Sequence, residues 1–278
     1  MKLGNAGWGW TPIPEDMPVG NSLEQIADRV KALGFDAIDY LGTVEALDTY
    51  FTDEVVSHLR DHLKEIGLEP NVFVYQRSAW NNPDPAVTEE TLRGFEKAAA
   101  TASKLGCKIV STLVPTPYGA RGWRSKPSAP AEKQTYALPD DYCYKKDWET
   151  LIGNYKKGLA IAKKYGLRMS IECFVGSMIS TPHAMEKVIA DMGDDDFGIQ
   201  LDTSHLVGQH IDPEWTINVL GGKHIFNVHC KDNDGVTRSN IPAGCGIIDY
   251  TAVINALKKV LKVYSQNMLE DAIISNFR

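Results

Sequence analysis

The sequence predicts an α/β protein in which eight strand–helix units close into one parallel barrel. Three observations carry that prediction. First, one joint recurs along the chain: a helical pattern ends in basic residues and Gly, and an apolar run follows at once. The instances are Lys31-Ala-Leu-Gly-Phe-Asp-Ala-Ile-Asp, Lys64-Glu-Ile-Gly-Leu-Glu-Pro-Asn-Val, Lys104-Leu-Gly-Cys-Lys-Ile-Val and Lys163-Lys-Tyr-Gly-Leu-Arg-Met-Ser-Ile, with looser copies at Ala190-Asp-Met-Gly and Leu220-Gly-Gly-Lys. Gly closes a helix in the left-handed conformation, and Lys complements the helix's negative end. Second, the stretches between joints repeat apolar residues at the helical period. Third, the strands number eight in a chain of 278 residues. That is one (β/α)8 TIM barrel, a single domain over 1–278. A doubly wound open sheet is the alternative, but no Gly-rich phosphate loop follows any strand.

The strands are expected at Lys2–Gly7, Ala37–Tyr40, Asn71–Tyr75, Lys108–Leu113, Arg168–Cys173, Gly198–Leu201, Ile225–His229 and Asn267–Leu269, with seven helices alternating between them. Leu23, Ile26, Ala27, Val30 and Leu33 share one helix face, as do Val55, Leu59, Leu63 and Ile66, and later Val253, Leu257, Val260 and Leu261. Ser22, Thr88, Asp147, Asp212 and Asp249 stand where N-caps belong. Two departures from a plain barrel matter. The connection after the fourth strand, residues 115–146, is far longer than an ordinary strand-to-helix loop. It carries Tyr118, Arg121, Trp123, Arg124, Tyr136, Tyr142 and Tyr144 among several prolines, which reads as a lid or substrate wall; an irregular surface insertion is the plainer reading. The loops after the first and third strands are also long and carry Trp10 and Trp80, each either a platform for sugar C–H faces or a plug of the barrel. Finally, only eight residues follow Glu270. A short or missing last helix would leave the side between the eighth and first strands to a homo-oligomer or a partner subunit.

Composition narrows the function. A net charge of −7 disfavours a nucleic-acid partner, because phosphate backbones are repelled. No basic run suggests a membrane surface, and no apolar run approaches the roughly 20 residues of a bilayer span. Five cysteines show no CxxC spacing, and the N-terminus lacks the pattern of a signal peptide. A reduced, cytoplasmic protein is expected.

The chemistry gathers at the strand ends. The fifth strand ends in Glu172, the sixth runs into Asp202 and His205, the seventh into His229, Lys231 and Asp232, and the eighth into Glu270. In a parallel barrel these ends converge on one small volume. Any one of them could merely cap a helix or sit hydrogen-bonded in the core. Four together are hard to explain structurally, because buried carboxylates repel unless a cation is present. Two Glu, one Asp and one His form a hard, oxygen-rich set that suits Mn²⁺, Mg²⁺ or Co²⁺, whereas Zn²⁺ usually takes more imidazole or thiolate. Cys173 and Cys230 each follow a candidate ligand, so strand alternation turns them toward the helix layer as packing.

These motifs resemble the xylose-isomerase-like TIM barrel superfamily, in its sugar-phosphate isomerase and epimerase branch, which includes ketose 3-epimerases, hydroxypyruvate isomerase and inosose dehydratase. The matching residues are Ile171-Glu172, Leu201-Asp202-Thr203-Ser204-His205, Val228-His229-Cys230-Lys231-Asp232, Gly244-Cys245-Gly246-Ile247-Ile248-Asp249 and Leu269-Glu270. The resemblance implies that Glu172, Asp202, His229 and Glu270 hold one divalent metal, with Mn²⁺ first and Mg²⁺, Co²⁺ or Zn²⁺ as alternatives. It also implies that Glu172 and Glu270 exchange protons with substrate carbon. Substrate contacts are expected from His205, Arg238, Trp10, Trp123 and Lys231. The approach to Glu270 departs from the family's usual Gly-Tyr-x-Gly pattern. The implied activity is isomerisation or epimerisation of a keto sugar or related polyol through an enediolate. The same enediolate can expel a β-substituent, so a lyase or dehydratase acting on a keto sugar or 3-keto-glycoside is the alternative. A non-catalytic barrel binding a sugar or a partner protein is a third reading, against which the intact ligand set argues.

Overall fold

The computed structural model describes residues 2–7, 19–121, 137–236, 241–264 and 273–276. Eight parallel strands close in sequence order into a barrel. They are β1 (Lys2–Ala6), β2 (Ala37–Gly42), β3 (Glu69–Tyr75), β4 (Ile109–Leu113), β5 (Arg168–Glu172), β6 (Phe197–Asp202), β7 (Ile225–Cys230) and β8 (Ile273–Asn276). The helices among the described residues are α1 (Val19–Ala32), α2 (Val44–Thr49), α3 (Asp53–Ile66), α4 (Pro85–Leu105), α5 (Tyr144–Lys164), α6 (Pro182–Met192), α7 (Thr203–Val207), α8 (Pro213–Leu220) and α9 (Tyr250–Tyr264). None of them is long and apolar enough to cross a membrane.

The recurrent Gly joints do what their residue type allows. Gly34, Gly67, Gly106, Gly166, Gly193 and Gly221 all have positive φ, between 62° and 97°. At Gly67 and Gly106 the backbone N–H closes the helix onto its last carbonyls before the chain drops into a strand. Two apolar clusters result. The large one lies between barrel and helices, and it takes in the alternate strand residues Phe73, Tyr75, Ile171, Leu201 and Val228 together with Cys173 and Cys230. The two cysteines therefore pack as the strand alternation implied. The small cluster, Val72, Val74, Ile109 and Phe226, uses the opposite strand faces and fills the barrel itself. Gly198 permits this filling, because a Cβ there would lie 2.8 Å from the Phe226 ring and 2.7 Å from the His224 carbonyl oxygen. At the starting end of the strands, Glu69 pairs with Lys2 of β1 and, at 3.1 Å, with Lys108 ahead of β4.

Several local expectations are corrected. The described eighth strand is Ile273–Asn276, and the expected Asn267–Leu269 lies outside the described residues; Ile273 and Ile274 pair with Lys2 and Leu3, and Ile274 also with Val228. Two short helices, α2 and α7, add to the expected seven. Asp212 and Asp249 do cap α8 and α9, accepting from the Trp215 N–H and from the Thr251 and Ala252 N–H groups. Thr88 lies inside α4, whose cap is Asp84 ahead of Pro85. Ser22 falls within α1, which starts at Val19. Asp147 lies inside α5, and its carboxylate instead accepts from the Tyr118 N–H (2.8 Å) and the Tyr142 hydroxyl (3.1 Å). It thus ties together the two ends of the long connection between β4 and α5, where Arg121 and Ala137 also pair. Trp80 is a packing residue: 1% exposed, it stacks its edges on Phe95 and Tyr155 and donates to Thr112 Oγ1.

Candidate metal centre

Glu172, Asp202 and His229 stand at the ends of β5, β6 and β7 and are all buried. One ligand-capable atom from each lies within 4.8 Å of the others. The register explains the convergence, because Asp202 and His229 are direct partners across β6 and β7, while Glu172 pairs with Gln200, two residues before Asp202. Asp202 is divided between two tasks. Its Oδ1 accepts from the His205 N–H and caps α7, and its Oδ2 lies 2.7 Å from Lys231 Nζ.

His229 is held from both sides. Nδ1 is 3.4 Å from Glu172 Oε1 and 3.3 Å from the Gln200 amide, and Nε2 is 3.4 Å from Asp39 Oδ2. Burial opposes charge on this ring, but the Asp39 and Glu172 carboxylates outweigh it and push its pKa up to about 9. Burial likewise works against the Glu172 anion, yet His229 and Lys231 hold its carboxyl below the usual range. Asp202 is also lowered, since Lys231, His205 and His229 overcome the same burial cost. Three carboxylates, Glu172, Asp202 and Asp39, thus meet Lys231 and the His229 ring in one buried cluster. Two carboxylates and an imidazole in reach of one another fit a divalent cation.

His205 Nε2 stands 4.0 Å from Asp202 Oδ2 with its ring near Phe174, and its side chain keeps some exposure at the rim of the cluster. Lys231, by contrast, points at the ligands themselves. Asp232 serves the fold: its carboxylate accepts from the N–H groups of Asn233, Gly244 and Ile248. Glu270, Arg238, Trp10 and Trp123 lie outside the described residues. Among the described residues the structure brings together three of the four expected ligands, Glu172, Asp202 and His229.

A polar layer beneath the ligands was not anticipated. Asp39, Asn71, Gln200 and Asn227 are all buried there. The signal was available, because Gln200 and Asn227 each precede a ligand by two residues and so share its strand face.

Comparison with known proteins agrees with this picture. Inosose dehydratase of Histophilus somni (strain 129Pt) is 22% identical over 283 residues, covering 93% of this chain and 86% of that protein. The crystal structure of D-psicose 3-epimerase in the presence of D-fructose superposes with a TM-score of 0.73 at 18% identity, covering 99% of this chain and 84% of that one. The IolI protein with a bound zinc atom superposes at 0.72 and 19% identity, covering 100% and 90%. The model of one family matches residues 27–261. The chain therefore belongs to the xylose isomerase-like TIM barrel family.

Proposed function

We propose that this protein is a divalent-metal-dependent isomerase or epimerase of a keto sugar or related polyol. The observation that carries the reading is the buried Glu172–Asp202–His229 triad, whose ligand-capable atoms lie within 4.8 Å of one another. Mn²⁺ is the metal best suited to the donors. When bound, such a cation draws electrons from a carbonyl and its neighbouring hydroxyl and makes the carbon-bound proton between them easier to remove. Glu172, kept ionised by its neighbours, is the base that takes this proton. His205, at the rim, donates to or accepts from a substrate hydroxyl, and Lys231 holds Asp202 in place while offering its remaining hydrogens to a substrate oxygen.

Return of the proton to the opposite face needs a second carrier, the role we assign to Glu270. That role requires the carboxylate to reach the site from ahead of β8. Arg238, Trp10 and Trp123 are proposed as substrate contacts, with residues 115–146 as a lid. Five cysteines without CxxC spacing support a cytoplasmic location.

Loss of a β-substituent from the same intermediate is the second reading, favoured by the match to an inosose dehydratase over most of the chain. One experiment separates these. The chain is incubated with Mn²⁺ and a panel of ketoses and inososes in D₂O. Deuterium entering the sugar at carbon, lost by about 10²-fold or more in Glu172→Gln, is the expected result. Release of water in place of simple exchange establishes the lyase. No reaction of any substrate, with Glu172→Gln matching the parent in metal content, sinks the metalloenzyme reading.

A further inference from the structure

We propose that Asp39 is a positioning residue that fixes which ring nitrogen of His229 faces the metal. The inference rests on the metal reading of the triad given above. Asp39 lies on β2, across the barrel from the ligands' own strands, and is fully buried. A carboxylate there without partners would be strongly destabilising. Its Oδ1 accepts from Asn71 Nδ2 at 2.8 Å and from the Val72 N–H at 3.2 Å. Its Oδ2 faces His229 Nε2 at 3.4 Å and Asn227 Nδ2 at 3.4 Å.

The two ring nitrogens of His229 therefore meet different surroundings. Nδ1 faces Glu172, a member of the triad, and Nε2 faces a carboxylate that is not. A ligating imidazole must be unprotonated at the metal side, and a neutral ring has only one N–H to place. An acceptor at Nε2 keeps that hydrogen away from Nδ1. Asp39 supplies the acceptor, and the Val72 N–H, which can only donate, fixes the orientation of the carboxylate. At Nδ1 the Glu172 carboxylate offers an acceptor and the Gln200 amide a donor, so that side does not choose between the tautomers; the Asp39 network does.

The same network dictates what an isosteric change would do. In Asp39→Asn, the oxygen stays at the Val72 N–H and the Asn71 amide, so the new NH₂ turns to His229 Nε2. Asn227 can flip its own amide to present an oxygen there. Nε2 then becomes the acceptor and the ring hydrogen moves to Nδ1, where the cation belongs.

The test uses the full chain titrated calorimetrically with Mn²⁺ alone, as parent, Asp39→Asn and His229→Gln. A second measurement loads the ¹⁵N-histidine-labelled parent with ¹¹³Cd²⁺ and reads which ring nitrogen couples to the metal. We expect one site in the parent, its loss in His229→Gln, about 10–100-fold weaker binding in Asp39→Asn with an unchanged circular dichroism spectrum, and coupling to Nδ1. Binding by Asp39→Asn within twofold of the parent, or coupling to Nε2, overturns the assignment. If Asp39→Asn does not fold, the cadmium coupling in the parent decides alone. If the parent takes up no metal, or His229→Gln binds as well as the parent, the metal reading falls and Asp39 falls with it; a failure confined to Asp39→Asn leaves that reading intact.

Discussion

Lys231 places an ammonium 2.7 Å from Asp202 Oδ2, at the place where a divalent cation would also draw on that oxygen. Lys231 is the nearest cation to Asp202 in a buried cluster that also holds Glu172 and Asp39. Removing Lys231 leaves Asp202 a buried carboxylate without its nearest compensation, a change that typically costs about 3–5 kcal/mol. Lys231→Met should therefore lower the melting temperature of metal-free protein by roughly 5–10 °C. Saturating Mn²⁺ should restore most of the loss, because the cation supplies the missing charge. An equal deficit with and without Mn²⁺ in a thermal melt would show that Lys231 acts through packing. At this scale the sequence disclosed the ligands and not their supports. Glu172, Asp202 and His229 are acids and an imidazole at the ends of apolar runs, a pattern visible along the chain. Asp39 and Asn71 become their neighbours only when β2 and β3 curl round to face β7, and no local spacing records that approach. Gln200 and Asn227 were legible, since the two-residue period of a strand puts them beneath Asp202 and His229.

At the scale of elements, the connection from β7 to α9 is organised by one carboxylate. Asp232 Oδ1 accepts from Asn233 and Ile248, its Oδ2 accepts from Gly244, and its backbone pairs with Ile241 in both directions. Gly246 completes the turn, because a Cβ there would sit 2.3 Å from Asp232 Oδ1 and from the Asn233 carbonyl oxygen. Asp232→Asn exchanges an acceptor for a donor against backbone N–H groups. It should cost about 1–3 kcal/mol in denaturant unfolding, with faster amide exchange at Gly244 and Ile248. Unchanged exchange at both amides would refute this account of the loop. The Gly244–Asp249 element could be recognised in the sequence as a turn followed by a cap, but its clamp could not, since Asp232 lies in a separate segment of the loop. The misplaced caps have a related cause. Thr88 and Asp147 are good capping residues beside better competitors or stronger calls on their side chains: Asp84 precedes a proline that starts α4, and Asp147 is taken up by Tyr118 and Tyr142. The eighth strand, Ile273–Asn276, is short and is placed by pairing with β1 and β7, an approach that no local spacing records.

For the whole molecule, the triad's ligands come from three adjacent strands, so a cation held by them cross-links β5, β6 and β7 and stabilises only the closed barrel. A ligand that binds the folded state alone adds about 2.7 kcal/mol at a hundred times its dissociation constant. For a chain of 278 residues this corresponds to a rise of about 5 °C in melting temperature. Mn²⁺ should produce that rise, and a chelator should abolish it. Glu172→Gln is the informative variant, because it keeps the volume of the side chain while removing one ligand charge from a cluster that otherwise retains its two cationic neighbours. Its metal-free melting point should stay near the parent's, since the lost anion had a burial cost of its own, while its response to Mn²⁺ should fall to a small fraction of the parent's. A variant at a surface carboxylate such as Glu54, exposed on α3, should respond like the parent. If Glu172→Gln gains as many degrees from Mn²⁺ as the parent does, the cation binds elsewhere, and the convergence of the three strand ends has some purpose other than holding it.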